Sequence, residues 1–222
     1  MPRKNRRLPR HLLVIRNSAM GDVAMLPHAL RALRSAYPDL RITVATRELF
    51  RPFFDGLGVE LLALDPKGRH KGIGGLLRFA REARALGVDA VADAHDVLRS
   101  QVIRTALRLH GLRVAVIDKG RKEKRRRLGA CPPGAPPLRH TVQRYCDVFR
   151  RLGFVFPDPE PAPPARRPNP LGEKRGRWVG FAPFSAHPGK TYPFGPSERL
   201  VRMLSDRFDR VFIHSGPGAE AE

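Results

Sequence analysis

The sequence lacks any apolar run long enough to cross a bilayer. A membrane-spanning helix needs about 20 consecutive apolar residues, and no stretch of these 222 residues approaches that length. The basic amino terminus is followed only by the short aliphatic run 12–15, which Arg16 interrupts at once, so it does not read as a secretory signal. These features lead us to expect a cytoplasmic protein.

Cysteine is scarce as well. The two cysteines, Cys131 and Cys146, form no metal-binding or redox motif, because neither lies at a short spacing from another cysteine. We expect each to be a structural thiol.

Acidic residues are few relative to basic ones. The chain has 42 Lys and Arg against 21 Asp and Glu, a net charge of +21. Such a charge favours an anionic partner, namely a nucleic acid, a membrane face or a phosphorylated substrate. Arginine-rich solvated helix faces would give the same excess. Nucleic-acid binding is kept as an alternative, although aromatic residues make up only 7% and none interrupts the basic cluster 119–127, so stacking surfaces are missing.

What the sequence does contain is a regular alternation of strand-like and helix-like segments. Short aliphatic or β-branched runs occur at residues 12–15, 41–45, 59–64, 90–93 and 113–117. Apolar residues at three- and four-residue spacing occur at residues 23–36, 48–57, 76–86, 97–109 and 141–152. The alternation predicts βαβ units and a mostly parallel sheet covered on both faces. The fold class is therefore α/β, with a doubly wound, Rossmann-like domain over residues 1–156.

A proline-rich segment, residues 157–177, follows and predicts a semi-rigid linker. Beyond it a second pattern begins, with a strand at 178–182, a helix at 197–208 and a strand at 211–214. One such unit buries too little apolar surface to stand alone. We therefore expect residues 178–222 to be the start of a second α/β domain in a longer protein; the alternative is that this unit adds to the first domain.

The turn between the first strand and the first helix holds the strongest candidate for chemistry. Ligands of doubly wound folds bind beyond the carboxyl ends of the strands, which places residues 16–22 at the ligand edge. Gly21 is expected to permit a tight turn and close ligand approach, and Asp22 to accept a proton from an incoming hydroxyl. A helix N-cap is the alternative role for Asp22. Pro27 should kink the helix or delay its regular start.

This turn resembles the opening motif of the heptosyltransferases that build lipopolysaccharide core, glycosyltransferase family 9. That family begins with an aliphatic strand, Arg, small residues, Gly-Asp and a helix containing Pro-x-Leu. The residues that match in order are Gly21, Asp22, Pro27, Leu30, Leu33, Tyr37 and Pro38, with one extra residue before Leu30. The resemblance implies a two-domain GT-B fold. It also implies inverting transfer of heptose from ADP-heptose to a lipopolysaccharide core or lipid A-type acceptor, with Asp22 as general base.

Residues 179–193 resemble the start of that family's donor-binding domain, in which a strand leads into small or hydroxyl residues, Lys, an aromatic residue and Pro. The resemblance implies that Ser185 and Lys190 contact the donor diphosphate, where a fixed cation stabilises charge on the leaving group. Without the resemblance, Lys190 reads as an exposed, solvated loop cation, and His187 reads as a hydrogen-bonded loop histidine. No Asp-x-Asp occurs, so we expect no metal and no cofactor beyond the nucleotide sugar.

Acceptor contacts are expected from several places on the same edge. Ser18 and Gly21 lie in the first turn, and Asp93, His95 and Arg99 follow the fourth strand, where Asp96 is a candidate N-cap. Asp93 and His95 alone do not define a metal site.

Two basic runs, residues 67–75 and 118–127, also follow strands and predict loops on this edge. With the acceptor that the resemblance implies, Lys119 and Arg121 of the second run are candidates for holding a phosphorylated glycolipid or the anionic leaflet around it, which would give peripheral contact at the cytoplasmic face of the inner membrane. Simple solvation is the alternative.

The resemblance has two departures near the carboxyl terminus. The last strand leads into residues 214–220 where the family tends to have a Gly-rich turn followed by acids. The family's downstream Asp-[Ser/Thr]-Gly-x-x-His segment does not occur. We therefore expect a chain ending at Glu222 to lack a complete donor site and to be inactive, which leaves a non-catalytic remnant as a further alternative.

Overall fold

The computed structural model describes residues 7–129, 134, 137–160, 169–185 and 188–215. Cys131 and His187 lie outside the described residues. The chain divides into two compact units, Met1–Pro161 and Ala162–Glu222. No helix among the described residues combines the length and the apolar character needed to cross a membrane.

The first unit alternates strands with helices, as the sequence pattern predicts. Its strands are β1 (His11–Ile15), β2 (Arg41–Thr46), β3 (Glu60–Ala63), β4 (Ala90–Asp93) and β5 (Arg113–Val116). Its helices are α1 (Met20–Ala36), the 3-10 helix η1 (Glu48–Phe54), α2 (Gly72–Ala85), α3 (Leu98–Leu109), α4 (Arg121–Gly129) and α5 (Thr141–Arg151).

All five strands form one parallel sheet in the order β3-β2-β1-β4-β5. The chain leaves β1 toward β2 on one side and later returns to place β4 on the other side. The order of strands therefore reverses beside β1, and the carboxyl ends of β1 and β4 form the switch point at which doubly wound folds bind ligands.

Strand β1 is buried on both faces, which explains its unbroken aliphatic run. Leu12 and Val14 point into the core cluster that includes α1 and α5. Leu13 and Ile15 point into the cluster that includes α2 and α3. The sheet thus lies between two helical layers, and this packing fixes the loops at its carboxyl edge.

The second unit is a parallel pair of strands, β6 (Trp178–Phe181) and β7 (Arg210–Ile213), connected through the 3-10 helix η2 (Pro188–Lys190) and α6 (Phe194–Ser205). Within residues 169–185 and 188–215, Pro183 alone is buried. Aromatic and aliphatic side chains instead line an open cavity of about 890 Å³.

The α/β fold class is confirmed, and most predicted elements agree with the structure to within a few residues. Three elements differ. The basic run after β5 forms helix α4 rather than a loop, because Arg, Lys and Glu are strong helix formers. Residues 48–54 form a 3-10 helix. Helix α1 begins at Met20 and continues through the buried Pro27 to Ala36, so the delayed start expected from Pro27 is wrong.

Candidate functional site

The turn between β1 and α1 brings a buried cation to a partly open carboxylate. Arg16, which is 7% exposed, follows the last buried residue of β1. Its Nη2 pairs with the Asp22 carboxylate, and its Nη1 donates to the carbonyl of Ala94 (2.7 Å). The Asp22 side chain keeps 43% of its surface exposed. The carboxylate is therefore fixed from the protein side and accessible to a ligand from the solvent side.

The structure corrects two expectations in this turn. The N-cap of α1 is Ala19, and Asp22 lies inside the first turn, so the N-cap role for Asp22 is wrong. Gly21 is also helical and does not have a positive φ, and a Cβ added there would meet nothing within 4 Å. The tight turn expected at Gly21 is thus wrong, and no packing among the described residues requires a glycine there.

Tyr145 on α5 contacts both charged residues of the turn between β1 and α1. Its hydroxyl donates to the Asp22 carbonyl (3.0 Å), and its ring lies under the Arg16 guanidinium at 5.8 Å. Burial raises the pKa of Tyr145 to about 12, so the phenol remains a donor at neutral pH. The sequence does not predict the contact between Tyr145 and Asp22, because the two residues are 123 positions apart. The position of Arg16, directly after a buried strand, does indicate that its charge must have a hydrogen-bonding or ionic partner in the folded chain.

His95 lies beside Ser18 at the same edge. Its Nε2 is 3.3 Å from the Ser18 hydroxyl, and the side chain is buried. Burial, followed by the nearby Arg16 cation, lowers the pKa of His95 to about 4. The imidazole is therefore neutral at physiological pH, and the Ser18–His95 pair can both donate and accept hydrogen bonds.

Asp93 does not face a ligand. It is fully buried, pairs with Arg104 (2.6 Å) and accepts the backbone N–H groups of His95 (2.9 Å) and Asp96 (2.8 Å). The structure therefore contradicts the expected acceptor contact by Asp93, which instead holds the loop carrying His95. The N-cap of α3 is Val97 rather than Asp96. Asp96 has a φ of 46° and also pairs with Arg104.

Arg99 and Ser18 line one cavity of about 390 Å³ at the carboxyl ends of β1, β2 and β3. Arg47 and Lys67 lie on its wall as well. Asn17 also lines it, and its buried Oδ1 has no hydrogen-bond partner among the described residues. A buried amide oxygen without a partner is costly, so Asn17 is an energetically unfavourable point in the structure next to this cavity.

The loop that carries Lys67 is held firmly. Asp65 accepts backbone N–H groups from Lys67 (3.2 Å), Gly68 (2.9 Å) and Arg69 (3.2 Å). His70 accepts the Asp65 N–H at Nδ1 (3.1 Å), so its Nε2–H donates to Glu82 (3.2 Å). These contacts fix the backbone of the loop and leave the Lys67 side chain exposed.

The second basic segment borders another cavity, of about 870 Å³, at the end of β5. Lys119 is half-buried and donates to the Asp96 carbonyl (2.8 Å), and burial lowers its pKa. Arg121, Arg126 and Arg127 on α4 contribute to the same wall. Lys119 therefore connects the loop after β5 to the loop after β4, while α4 supplies exposed basic side chains.

In the second unit, Ser185 and Lys190 both lie on the segment that leaves the carboxyl end of β6. Thr191 donates to the Ser185 carbonyl (3.3 Å), and the Tyr192 N–H donates to the Pro183 carbonyl (2.7 Å). Lys190 ends η2 and is exposed. The segment is thus folded back on itself just before α6 begins. No group of three or more potential metal-binding side chains occurs within the described parts of the chain.

Comparison with known proteins finds no match to any family model or curated protein by sequence. Solved structures do match. A glycosyltransferase family 9 protein from Veillonella parvula matches 94% of this chain and 63% of its own length, with a TM-score of 0.69 and 21% identity. The E. coli heptosyltransferase WaaC, solved with ADP-2-deoxy-2-fluoro heptose, matches 95% of this chain and 70% of its own length (TM-score 0.69, 18% identity).

The E. coli ADP-heptose LPS heptosyltransferase II matches 93% of this chain and 65% of its own length, with a TM-score of 0.59 and 18% identity. The chain spans about two thirds of the length of these three proteins. Over that span it has the fold of a GT-B glycosyltransferase. Within this class, the fold is similar to that of glycosyltransferase family 9 and its heptosyltransferases.

Proposed function

We propose that this chain supplies the acceptor side and the first part of the donor side of an inverting, family 9-type glycosyltransferase. The observation that carries the proposal is the Asp22 carboxylate, which is held by buried Arg16 and remains open at the switch point of the sheet. The ordered sequence match through Pro38 and the fold similarity support the same conclusion.

In the proposed reaction, Asp22 takes the proton from an acceptor hydroxyl. The acceptor oxygen then bonds to the anomeric carbon of the donor sugar, while the bond from that carbon to the diphosphate oxygen breaks and the configuration inverts. Arg16 orients the carboxylate, and Tyr145 holds the backbone of the same turn. Ser18 and His95 are placed to hydrogen-bond sugar hydroxyls near it.

The donor in this proposal is a nucleotide sugar, and ADP-heptose is the first candidate. The similar E. coli enzyme WaaC has been solved with ADP and with an ADP-heptose analogue. Lys190 and Ser185 would receive the diphosphate, and α6, which begins just after them, directs its N–H groups toward the same end of β6. A cation at this position stabilises the charge that develops on the leaving group.

The acceptor in this proposal is an anionic glycolipid of the lipopolysaccharide core or lipid A type. Arg99 and Lys67 on the smaller cavity, and Lys119 and Arg121 on the larger one, offer the cations that would hold its phosphate or carboxylate groups. A cytoplasmic location fits the use of a nucleotide sugar.

Nucleotide binding by isothermal titration tests the proposal. In a protein that carries the acceptor side and the whole donor side, ADP and ADP-heptose should bind, and UDP and UDP-glucose should bind at least about tenfold more weakly, because a base-specific pocket leaves polar groups unpaired with the wrong base. Equal binding of ADP and UDP nucleotides, or no binding of either, would contradict the proposed donor. Transfer of labelled heptose to a lipid A precursor, measured on the whole protein, then tests the acceptor.

A further inference from the structure

The loop between β4 and α3 contains a backbone conformation that needs an explanation. Asp96 has a φ of 46° and is the one residue other than glycine with a positive φ in the described parts of the chain. Glycine adopts this left-handed conformation at little cost, whereas a residue with a Cβ finds it unfavourable. The conformation therefore persists because contacts around Asp96 hold it.

Each polar group of Asp96 has a partner on a different element. Its N–H donates to the Asp93 carboxylate (2.8 Å), and its carbonyl accepts Lys119 Nζ (2.8 Å). Its own carboxylate accepts Arg104 Nη1 (2.9 Å). The turn at Asp96 is thus held from three sides, by strand β4, by the loop after β5 and by helix α3.

Arg104, in the second turn of α3, links the two carboxylates of this loop. The same nitrogen, Nη1, donates to Asp93 (2.6 Å) and to Asp96 (2.9 Å). A guanidinium nitrogen carries two hydrogens in a fixed geometry, so it holds the two carboxylates at a set separation. Asp93 is fully buried in a strand that is paired on both sides. Arg104 therefore places Asp96 relative to the sheet.

The residues just before Asp96 contact the turn between β1 and α1. The Ala94 carbonyl accepts Arg16 Nη1 (2.7 Å), and His95 Nε2 lies 3.3 Å from the Ser18 hydroxyl. A different φ at Asp96 would redirect the chain on either side of it. Both contacts therefore depend on the left-handed turn.

We propose that Arg104 is a positioning residue, which by holding Asp93 and Asp96 together sets the left-handed turn that keeps His95 against Ser18. Charge compensation accounts for only part of this arrangement. Fully buried Asp93 requires a cation, but the Asp96 side chain is 24% exposed and does not. The inference deepens the proposed function and rests on it only in taking His95 as an acceptor contact.

Nuclear magnetic resonance on the protein without nucleotide or acceptor measures both parts of the proposal. The nuclear Overhauser effect between the amide and α protons of Asp96 is strong at positive φ and reports the turn. A pH titration of the imidazole signals of His95 reports its surroundings. Burial, followed by the Arg16 cation, holds the pKa of His95 at about 4, whereas a solvated imidazole titrates near 6.5. The charged groups that face the imidazole are Arg16, Asp93, Lys119 and Asp22.

Asp96→Ala separates position from charge. Removing a carboxylate by itself lowers the pKa of a nearby imidazole, whereas releasing the loop exposes the imidazole and raises that pKa. We expect the pKa of His95 to rise by at least about one pH unit in Asp96→Ala. In Arg104→Gln the same rise should accompany a weaker amide–α Overhauser effect at Asp96. Arg108→Gln removes an exposed arginine from the last turn of α3 and, as the matched control, should change neither signal.

An unchanged or lowered pKa of His95 in Asp96→Ala would overturn the proposal. So would a strong amide–α Overhauser effect that persists at Asp96 in Arg104→Gln. If Arg104→Gln does not fold because Asp93 is left unpaired, Asp96→Ala decides alone, since the pair of Arg104 with Asp93 remains in it. Because no nucleotide or acceptor is present, neither result depends on the nucleotide-binding test of the proposed function, and failure of that test leaves them intact.

Discussion

The two units of this chain are built from the same strand and helix pattern but differ in what they bury. In the first unit, β1 is buried on both faces and the cores beside it contain whole aromatic side chains such as Phe79 and Phe149. In the second unit, α6 has no buried residue, and Phe194 and Ile213 are 83% and 55% exposed. Equivalent secondary structure therefore does not imply equivalent stabilisation, which depends on how much apolar surface the tertiary contacts remove from water.

The two candidate half-sites differ in the same way. Asp22 is oriented by buried Arg16 and by Tyr145, and the neighbouring loop is held by the Asp93–Arg104 pair. Lys190, in contrast, ends a three-residue helix on an exposed segment. We infer that the first unit provides fixed geometry, whereas the second unit provides a charge whose position is less constrained by its surroundings.

The largest expected effect is the difference in unfolding free energy between removing an aromatic side chain from the first unit and removing one from the second. Phe149→Ala empties a fully buried site and should lower the free energy of unfolding by about 4 kcal/mol. Phe212→Ala removes a half-buried ring that packs on Trp178 (centroids 5.2 Å apart) in the second unit and should cost about 1 kcal/mol or less. Urea denaturation measures both. Similar losses of unfolding free energy in the two variants would contradict the proposed difference in stabilisation between the units.

The next effect concerns the pH dependence of stability and arises from His95 in the first unit. The pKa of His95 is lowered to about 4 in the folded chain and is near 6.5 when unfolded. Between these values the unfolded chain binds more protons, so stability falls as the pH falls from 6.5 toward 4, by up to about 3 kcal/mol. The pKa of His11 is also lowered and adds to this slope.

His95→Gln should therefore flatten the dependence of the unfolding free energy on pH in this window. His110→Gln, at an exposed position, is the control and should leave the slope unchanged. An unaltered slope in His95→Gln would show that His95 is not held neutral by the folded structure.

The smallest effect should be that of Lys190. Lys190→Ala should weaken ADP binding by about tenfold, the value of one charge-assisted hydrogen bond to phosphate. Lys174→Ala removes an exposed lysine of the same unit outside the segment 185–190 and is the matched control. Calorimetric titration compares the two, and equal affinities in both variants would remove Lys190 from the proposed donor site.

The sequence predicts much of the fold because hydrophobic periodicity and strand–helix alternation are local signals. The run 12–15 and the helix that follows it could be placed for this reason. Helix α4 was wrongly predicted as a loop, since a segment this basic has no apolar stripe to reveal it. Gly21 was assigned a turn conformation that the helix does not use.

The site was less predictable because its geometry depends on contacts between distant positions. The sequence could place Ser18, His95 and Arg99 at the carboxyl edge of the sheet, because each of them follows a predicted strand. The burial of Asp93 depends on Arg104, and the support of Asp22 depends on Tyr145, 123 positions away. No spacing rule connects such pairs, because the packing of α3 and α5 against the sheet brings them together.

The turnover of Asp22→Asn tests the account most directly. Asparagine preserves the size of the side chain and removes its capacity to take a proton, so kcat with ADP-heptose and lipid acceptor, measured on the whole protein, should fall by about 10³-fold or more. Affinity for ADP should stay within about twofold, since Asp22 is assigned to the acceptor side. Glu48→Gln, which neutralises an exposed carboxylate at the same edge, should retain most of the turnover. Near-normal turnover in Asp22→Asn would contradict the assignment of Asp22 as the base.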